Sequence, residues 1–404
     1  MKMKKIRVAV LLYGDLYALN GASLYVKRFS DHASYFDNAG ISLCICAGNY
    51  DPSLKRRSAG TSIKAACHMN TKIKRFKKKV KQILPRLPFG SALMFYLAFL
   101  QNAKHVVKRF KKEIREADSL LVNDIWTAYY VHKYMPEKKM IFIMHNSGDL
   151  YSMLYIQLPK LKRGAIHHFL ARIQEEIFAC AARIVFVSET AAEKFREGNV
   201  KYADKAVFIP VGLEPVECRY KHTYDKIEFV STGTVCTRKN QIALIQAMEK
   251  LKDPSAVLTI VGGGPALSEC RRYVKEHHIQ NVVLTGPVEN ILGYLDEANV
   301  FISASLDEGV PATGVEALRN GLPIIIGDVG GCSELIAHNG MLIHPDKHSE
   351  ILESMERIIR NKEELENMSR NSRKLYEEKY HIEGMFDLYI RLIKELAAQA
   401  PFPQ

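Results

Sequence analysis

Acidic side chains are missing from a long stretch of this chain: none lies between Asp51 and Glu113. Residues 52–112 carry 17 Lys and Arg, and subtracting that charge from the overall +13 leaves −4 for everything else. The basic excess is therefore one local feature, not a property of the whole surface. Cysteines at metal-ligand spacing are missing as well. Eight are scattered along the chain with no CxxC pair and no Cys/His ligand pattern, so they read as buried free thiols in a reducing compartment. Long apolar runs are also absent. ALMFYLAFL (92–100) is too short to span a bilayer. VAVLL, near the start of the chain, is too short for a secretory h-region, and no small-x-small cleavage site follows it. The expectation is a cytosolic protein with neither a leader nor a transmembrane helix.

What is present is ordinary globular material, 47% hydrophobic and 25% charged over 404 residues. That length holds two domains of about 150–200 residues each. IRVAVLL (6–12), LCICAG (43–48), SLLVND (119–124), MIFIMHN (140–146) and RIVFVSE (183–189) are short apolar runs ending in polar residues or Gly. Helical stretches separate them, one starting at about Leu24. KIEFVSTG (226–233), VLTIVGGGP (257–265), NVVLTG (281–286), NVFISAS (299–305) and LPIIIG (322–327) repeat the pattern. Strands alternating with helices predict βαβ units and parallel sheets. The fold class is α/β, with two Rossmann-like doubly wound domains facing across a cleft. The first domain is expected over 1–210, with the basic segment at about 52–112 inserted in it. A linker follows over 211–225, a second domain over 226–380, and a C-terminal helix over 381–404 packing back on the first domain.

In open α/β sheets ligands bind beyond the carboxyl ends of the strands, and four stretches sit there. LNGAS (19–23) places Asn20 and Gly21 ahead of a helix start. That suits an anion, but taken alone an ordinary tight turn is the favoured reading. MHNSGD (144–149) puts His145 at a strand end, as a ligand or as a structural hydrogen-bonder. STGTVCTRKNQ (231–241) sets Arg238 and Lys239 before a helix, where they match a phosphate or form a solvated pair. DEGVPATGVEALRNGLPIII (307–326) carries two acids eight apart, Glu308 and Glu316. Gly309, Val310 and Pro311 form a loop between them, and Ala312 and Thr313 open the helix that carries Glu316. GGGP (262–265) could approach a ligand, and the favoured reading is a strand-to-helix turn.

This ordered series resembles the retaining glycosyltransferases of family 4, which have the GT-B fold and a Glu-x7-Glu motif. The resemblance covers most of the chain, including VFVSETAAEKF, FIPVGLE and GGCSELI (330–336), and is to the type found among bacterial polysaccharide enzymes. It implies transfer of a hexose or N-acetylhexosamine from a nucleotide diphosphate sugar, foremost a UDP-sugar, to a glycan or lipid-linked glycan acceptor. It implies that Glu308 holds donor hydroxyls and that Lys239 neutralises the diphosphate. His145 would line the acceptor side, Glu316 bind the ribose, and Gly21 face the phosphate from the opposite domain. Backbone groups of roughly 310–313 would hold the sugar and diphosphate. No cofactor or metal is implied, and no Asp-x-Asp is present to hold one. The loop departs from the family in having Thr234 where an arginine is usual. Whether Arg238 supplies that charge stays open, and a non-catalytic nucleotide-sugar-binding scaffold is the alternative.

TKIKRFKKKVKQIL (71–84) carries seven Lys and Arg, with Ile73, Phe76, Val80 and Ile83 at helical spacing. A basic amphipathic helix suits an anionic membrane surface, with a solvated helix on the first domain as the alternative. No recognition fold accompanies it, so nucleic acid is not an expected partner. The expected location is the inner face of the plasma membrane, held peripherally.

Overall fold

The computed structural model describes residues 5–18, 21–50, 90–146, 148, 150–218 and 225–399. Asn20 and the basic stretch 71–84 lie outside the described residues, as does most of the expected insertion.

The first sheet contains β1 (Ile6–Leu12), β2 (Ile41–Ala47), β3 (Ser119–Val122), β4 (Met140–Met144), β5 (Arg183–Phe186) and β6 (Ala206–Phe208). Their order is β2-β1-β3-β4-β5-β6, every pair parallel. The second sheet contains β7 (Ile227–Thr232), β8 (Ala256–Val261), β9 (Val282–Gly286), β10 (Val300–Ser303), β11 (Ile324–Gly327) and β12 (Gly340–Ile343). Its order is β12-β11-β10-β7-β8-β9, again all parallel. Parallel sheets are covered by helices on both faces, which is why β3, β4, β10 and β11 are buried along their whole length. The strand order reverses between β1 and β3 and between β7 and β10, and these switch points open crevices at the carboxyl ends. Two strands escaped the sequence reading. β6 is three half-buried residues at a sheet edge, and β12 starts at a glycine. The first helix begins at Gly21, earlier than expected.

The chain crosses between the sheets twice, and the crossings pair. Leu213 N–H donates to Tyr380 O (2.9 Å), and Ile382 N–H donates to Leu213 O (3.0 Å). Helix Ile382–Ala398 then packs Phe386, Tyr389 and Ile393 against Phe29 and Phe36 of the first domain. Tyr389 and Tyr25 share a buried hydroxyl contact of 2.8 Å. Among the described residues no helix is long and apolar enough to cross a membrane.

The GGGP stretch serves as a brace for the neighbouring loop. Gly262 has φ +146°, and a Cβ there would lie 1.9 Å from Gly233 O. A Cβ on Gly264 would lie 2.1 Å from Val235 O. Val235 N–H donates to Gly263 O (2.9 Å) and Ala266 N–H to Val235 O (3.1 Å). The loop after β7 thus rests on bare backbone. Gly264→Ala is expected to destabilise the protein by roughly 2–4 kcal/mol, because a close backbone contact must spring apart. Chemical denaturation checks this; an unchanged midpoint would refute the bracing role.

Candidate active site

The loop after β7 and the loop after β10 meet through charge. Glu308 Oε1 lies 2.6 Å from Lys239 Nζ and 2.9 Å from Arg238 Nη1, with 10% of its side chain exposed. Arg238 Nη1 also donates to Asp307 O (2.5 Å), and Leu306 N–H donates to Arg238 O (2.8 Å). Asn240, in a left-handed conformation at φ 51°, turns the chain into helix Gln241–Leu251. Burial alone would raise the Glu308 pKa, but Lys239 and then Arg238 outweigh it, and the carboxyl sits below its usual range. Two cations on one carboxylate leave one positive charge in excess. Arg238 and Lys239 are therefore an ion-paired couple, and the solvated-pair reading is set aside.

Helix Ala312–Arg319 starts directly behind this cluster with Pro311 as its N-cap. Proline has no N–H, so the expected set of backbone donors over 310–313 loses one member. Ala312 and Thr313 occupy the first turn, where N–H groups have no intrahelical acceptor and point out of the helix end. Glu316, half-buried on this helix, is raised by burial while Arg319, Arg28 and Lys239 pull the other way. Arg28 belongs to helix Gly21–Asp31 of the first domain. The helix that Gly21 opens therefore contributes charge to the second domain's acid. Nothing lies within 4 Å of a Cβ built on Gly21 itself, and no contact ties Gly21 directly to Glu308 or Lys239.

The domains touch at Gly309. A Cβ there would lie 3.0 Å from His145 O, so the strand end carrying His145 abuts the loop carrying Glu308. The imidazole is half-buried against the Tyr25 ring at 4.8 Å, and its Nε2 lies 3.0 Å from Asn123 Oδ1. The Asn123 amide donates Nδ2–H to Leu11 O (3.3 Å), which turns its oxygen toward the histidine. His145 Nε2 must then carry the proton, leaving Nδ1 as an acceptor. The next residue, Asp124, is anchored as well, accepting from Thr127 N–H (2.7 Å) and Tyr13 N–H (3.1 Å). Burial, with the Arg28 charge, pushes the His145 pKa down to about 4. The ring is neutral at neutral pH, and Nδ1 is the nitrogen able to accept a hydrogen bond.

A second set of cross-domain contacts is polar. Glu334 Oε1 accepts from Ser188 Oγ (2.7 Å) and Thr190 N–H (3.0 Å), and Lys379 lies 3.5 Å from both Glu334 and Glu189. Asn123, Arg28 and Glu334 were all missed as candidates. Asn123 sits at the end of an apolar run, which was a visible signal. Arg28 and Glu334 depend on the tertiary fold for any meaning.

Residues 219–375 match the family model described as Glycosyl transferases group 1. O-antigen chain mannosyltransferase C of Escherichia coli is 29% identical over 255 residues, 59% of this chain. That match spans 66% of the relative, just under two thirds of its length. Among solved structures, sucrose-phosphate synthase from Thermosynechococcus elongatus superposes with a TM-score of 0.71 at 18% identity, covering 98% of this chain and 100% of that one. Anabaena HepE in complex with UDP gives a TM-score of 0.64 at 12% identity, covering 97% of this chain and 100% of that one. The architecture is a two-domain Rossmann-like fold of the GT-B type.

The tautomer generates a test. Histidine ring NMR is expected to show His145 as the Nε2–H form, neutral down to about pH 5. Asn123→Asp is expected to move its titration upward by roughly one pH unit or more, since an adjacent carboxylate favours the imidazolium. An Nδ1–H signal would refute the assignment.

Proposed function

We propose that this chain is a retaining glycosyltransferase of the family 4 type. It moves a hexose or N-acetylhexosamine from a nucleotide diphosphate sugar, a UDP-sugar first, to a glycan acceptor on a lipid carrier, in surface polysaccharide synthesis. The observation that carries this reading is the Arg238–Glu308–Lys239 cluster at the switch point of the second sheet, facing His145 across the cleft. The group 1 family match over the same half and the O-antigen relative support it.

Breaking a glycosyl–phosphate bond gathers negative charge on the departing diphosphate. A preset cation and free helix-end N–H groups lower the energy of that charge without rearranging at the moment of reaction. In this reading the donor diphosphate draws Lys239 from Glu308, and Glu308 turns to the sugar hydroxyls. Arg238 keeps its bond to Asp307 O and holds the loop, so it supports the charge that an arginine at 234 would supply. Glu316, beside Arg319, takes the ribose hydroxyls. The acceptor hydroxyl oxygen bonds to the anomeric carbon on the face from which the diphosphate leaves, and its proton passes to a phosphate oxygen. Anomeric configuration is retained, and the charges involved are supplied by this chain without a metal. His145 stays neutral and accepts a hydrogen bond from a sugar hydroxyl at Nδ1. The protein works peripherally at the inner membrane face, with residues 71–84 on anionic lipid.

A thermal-shift panel of UDP- and GDP-sugars, with and without EDTA, tests donor binding; a bound ligand raises the melting temperature by mass action. A rise with one sugar that survives EDTA is expected. Lys239→Ala and Glu308→Ala are each expected to lower kcat roughly 10²–10³-fold, the scale of a lost transition-state partner. Full turnover in either variant would sink these roles. Binding by the wild-type protein with no turnover on any acceptor would point to a scaffold subunit instead.

A further inference from the structure

An apolar face on the first domain has no partner among the described residues. Helix Gly90–Phe95, the π turn Tyr96–Leu100 and helix Gln101–Arg109 run as one rod. Its inner side is anchored: Phe95 and Phe99 pack on Trp126 at 5.0 and 5.7 Å, and Leu100, Val106 and Val107 are buried. Its outer side presents Leu93, Tyr96 and Leu97, each more than 40% exposed. Tyr96 and Leu97 lie three and four residues after Leu93, so each shares a face of the rod with it. The π turn inserts a residue and re-aims the rod at this point. Tyr96 is close enough to feel Tyr130, which stacks on the exposed Tyr134.

The rim of this face is basic. Turn Pro159–Lys162 packs beside helix Gly90–Phe95 and carries the exposed Lys162, followed by the exposed Arg163. The rod itself continues into Lys104 and Lys108, and no acid occurs from 52 to 112. An apolar centre with tyrosine flanks and a lysine/arginine rim is complementary to a bilayer with anionic headgroups, where aromatic rings settle at the interface and cations meet phosphate. A second copy of the chain fits less well, because a two-fold contact would press basic rims together. Nucleic acid would leave the leucines unpaired.

We propose that Leu93, Tyr96 and Leu97 insert into the headgroup region of an anionic membrane, with Lys162 and Arg163 on lipid phosphates. This rests on the reading of a lipid-linked acceptor and adds the surface that would bring the cleft to it. These residues lie outside the sequence stretch 71–84, so substitutions at them leave that charge unchanged.

The test is co-sedimentation of the full chain with vesicles of phosphatidylglycerol and phosphatidylcholine, and with phosphatidylcholine alone. Leu93→Ser/Tyr96→Ser/Leu97→Ser is expected to weaken partitioning onto the anionic vesicles by roughly tenfold or more, since apolar burial drives interfacial binding. Lys162→Glu/Arg163→Glu, which leaves the rod intact, is expected to weaken it and to reduce its salt dependence. Circular dichroism and melting separate loss of binding from loss of fold. Unchanged partitioning in both variants overturns the proposal. A wild-type dimer that the triple variant abolishes also overturns it, in favour of self-association. The nucleotide-sugar thermal shift is run on the same proteins. A shift that persists without vesicle binding rejects the membrane face alone; vesicle binding without any shift rejects the glycosyl-transfer reading alone.

Discussion

One carboxylate between two cations organises the second domain's half of the cleft. Glu308 has little water around it, and a lone acid there would take up a proton instead of holding a charge. Lys239 and Arg238 keep it ionised. The same pairing closes the loop after β7 onto the loop after β10, with backbone bonds on both sides. Removing one partner of a buried pair leaves an uncompensated charge and costs more than the pair contributes. The cluster therefore fixes loop geometry and stores the positive excess an anionic ligand meets.

The scaffold behind the cluster is built to be stiff. The β7 loop lies on Gly262 and Gly264, where any side chain would collide with backbone oxygen. On the opposite wall, His145 is fixed by Asn123, Asn123 by Leu11 O, and Asp124 by the first turn of its helix and by Tyr13. Burial pushes the Asp124 pKa up to about 6, although its hydrogen bonds pull it down. Each wall thus holds its functional atoms by contacts that reach back into a sheet.

Much of the fold was legible in the sequence because parallel strands buried on both faces are continuous apolar runs, as in MIFIM and LPIII. β6 was not legible: AVF merges into a stretch rich in Pro and Gly. β12 was hidden for a different reason. Gly340 is needed because a Cβ would lie 1.8 Å from Ile324 O, yet glycine argues against a strand. In the site, Glu308, Arg238 and Lys239 stood out as charges beside strand ends, but their mutual neutralisation did not, since it joins loops about 70 residues apart. Pro311 was misjudged as part of a donor set on sequence alone, although its chemistry was readable there. Arg28 reaches Glu316 only once two domains are folded face to face.

The paired crossing at Leu213 and Ile382 has a kinematic meaning. The last helix is bonded by apolar packing to the first domain, so any rotation of one sheet against the other divides the chain at two points, near 213 and near 381, and not at one. Residues 382–398 travel with the N-terminal body. Among the described cross-domain contacts, those of Glu334 are polar and exchangeable with water. That line of contact is held by charge and hydrogen bonds, so salt weakens it.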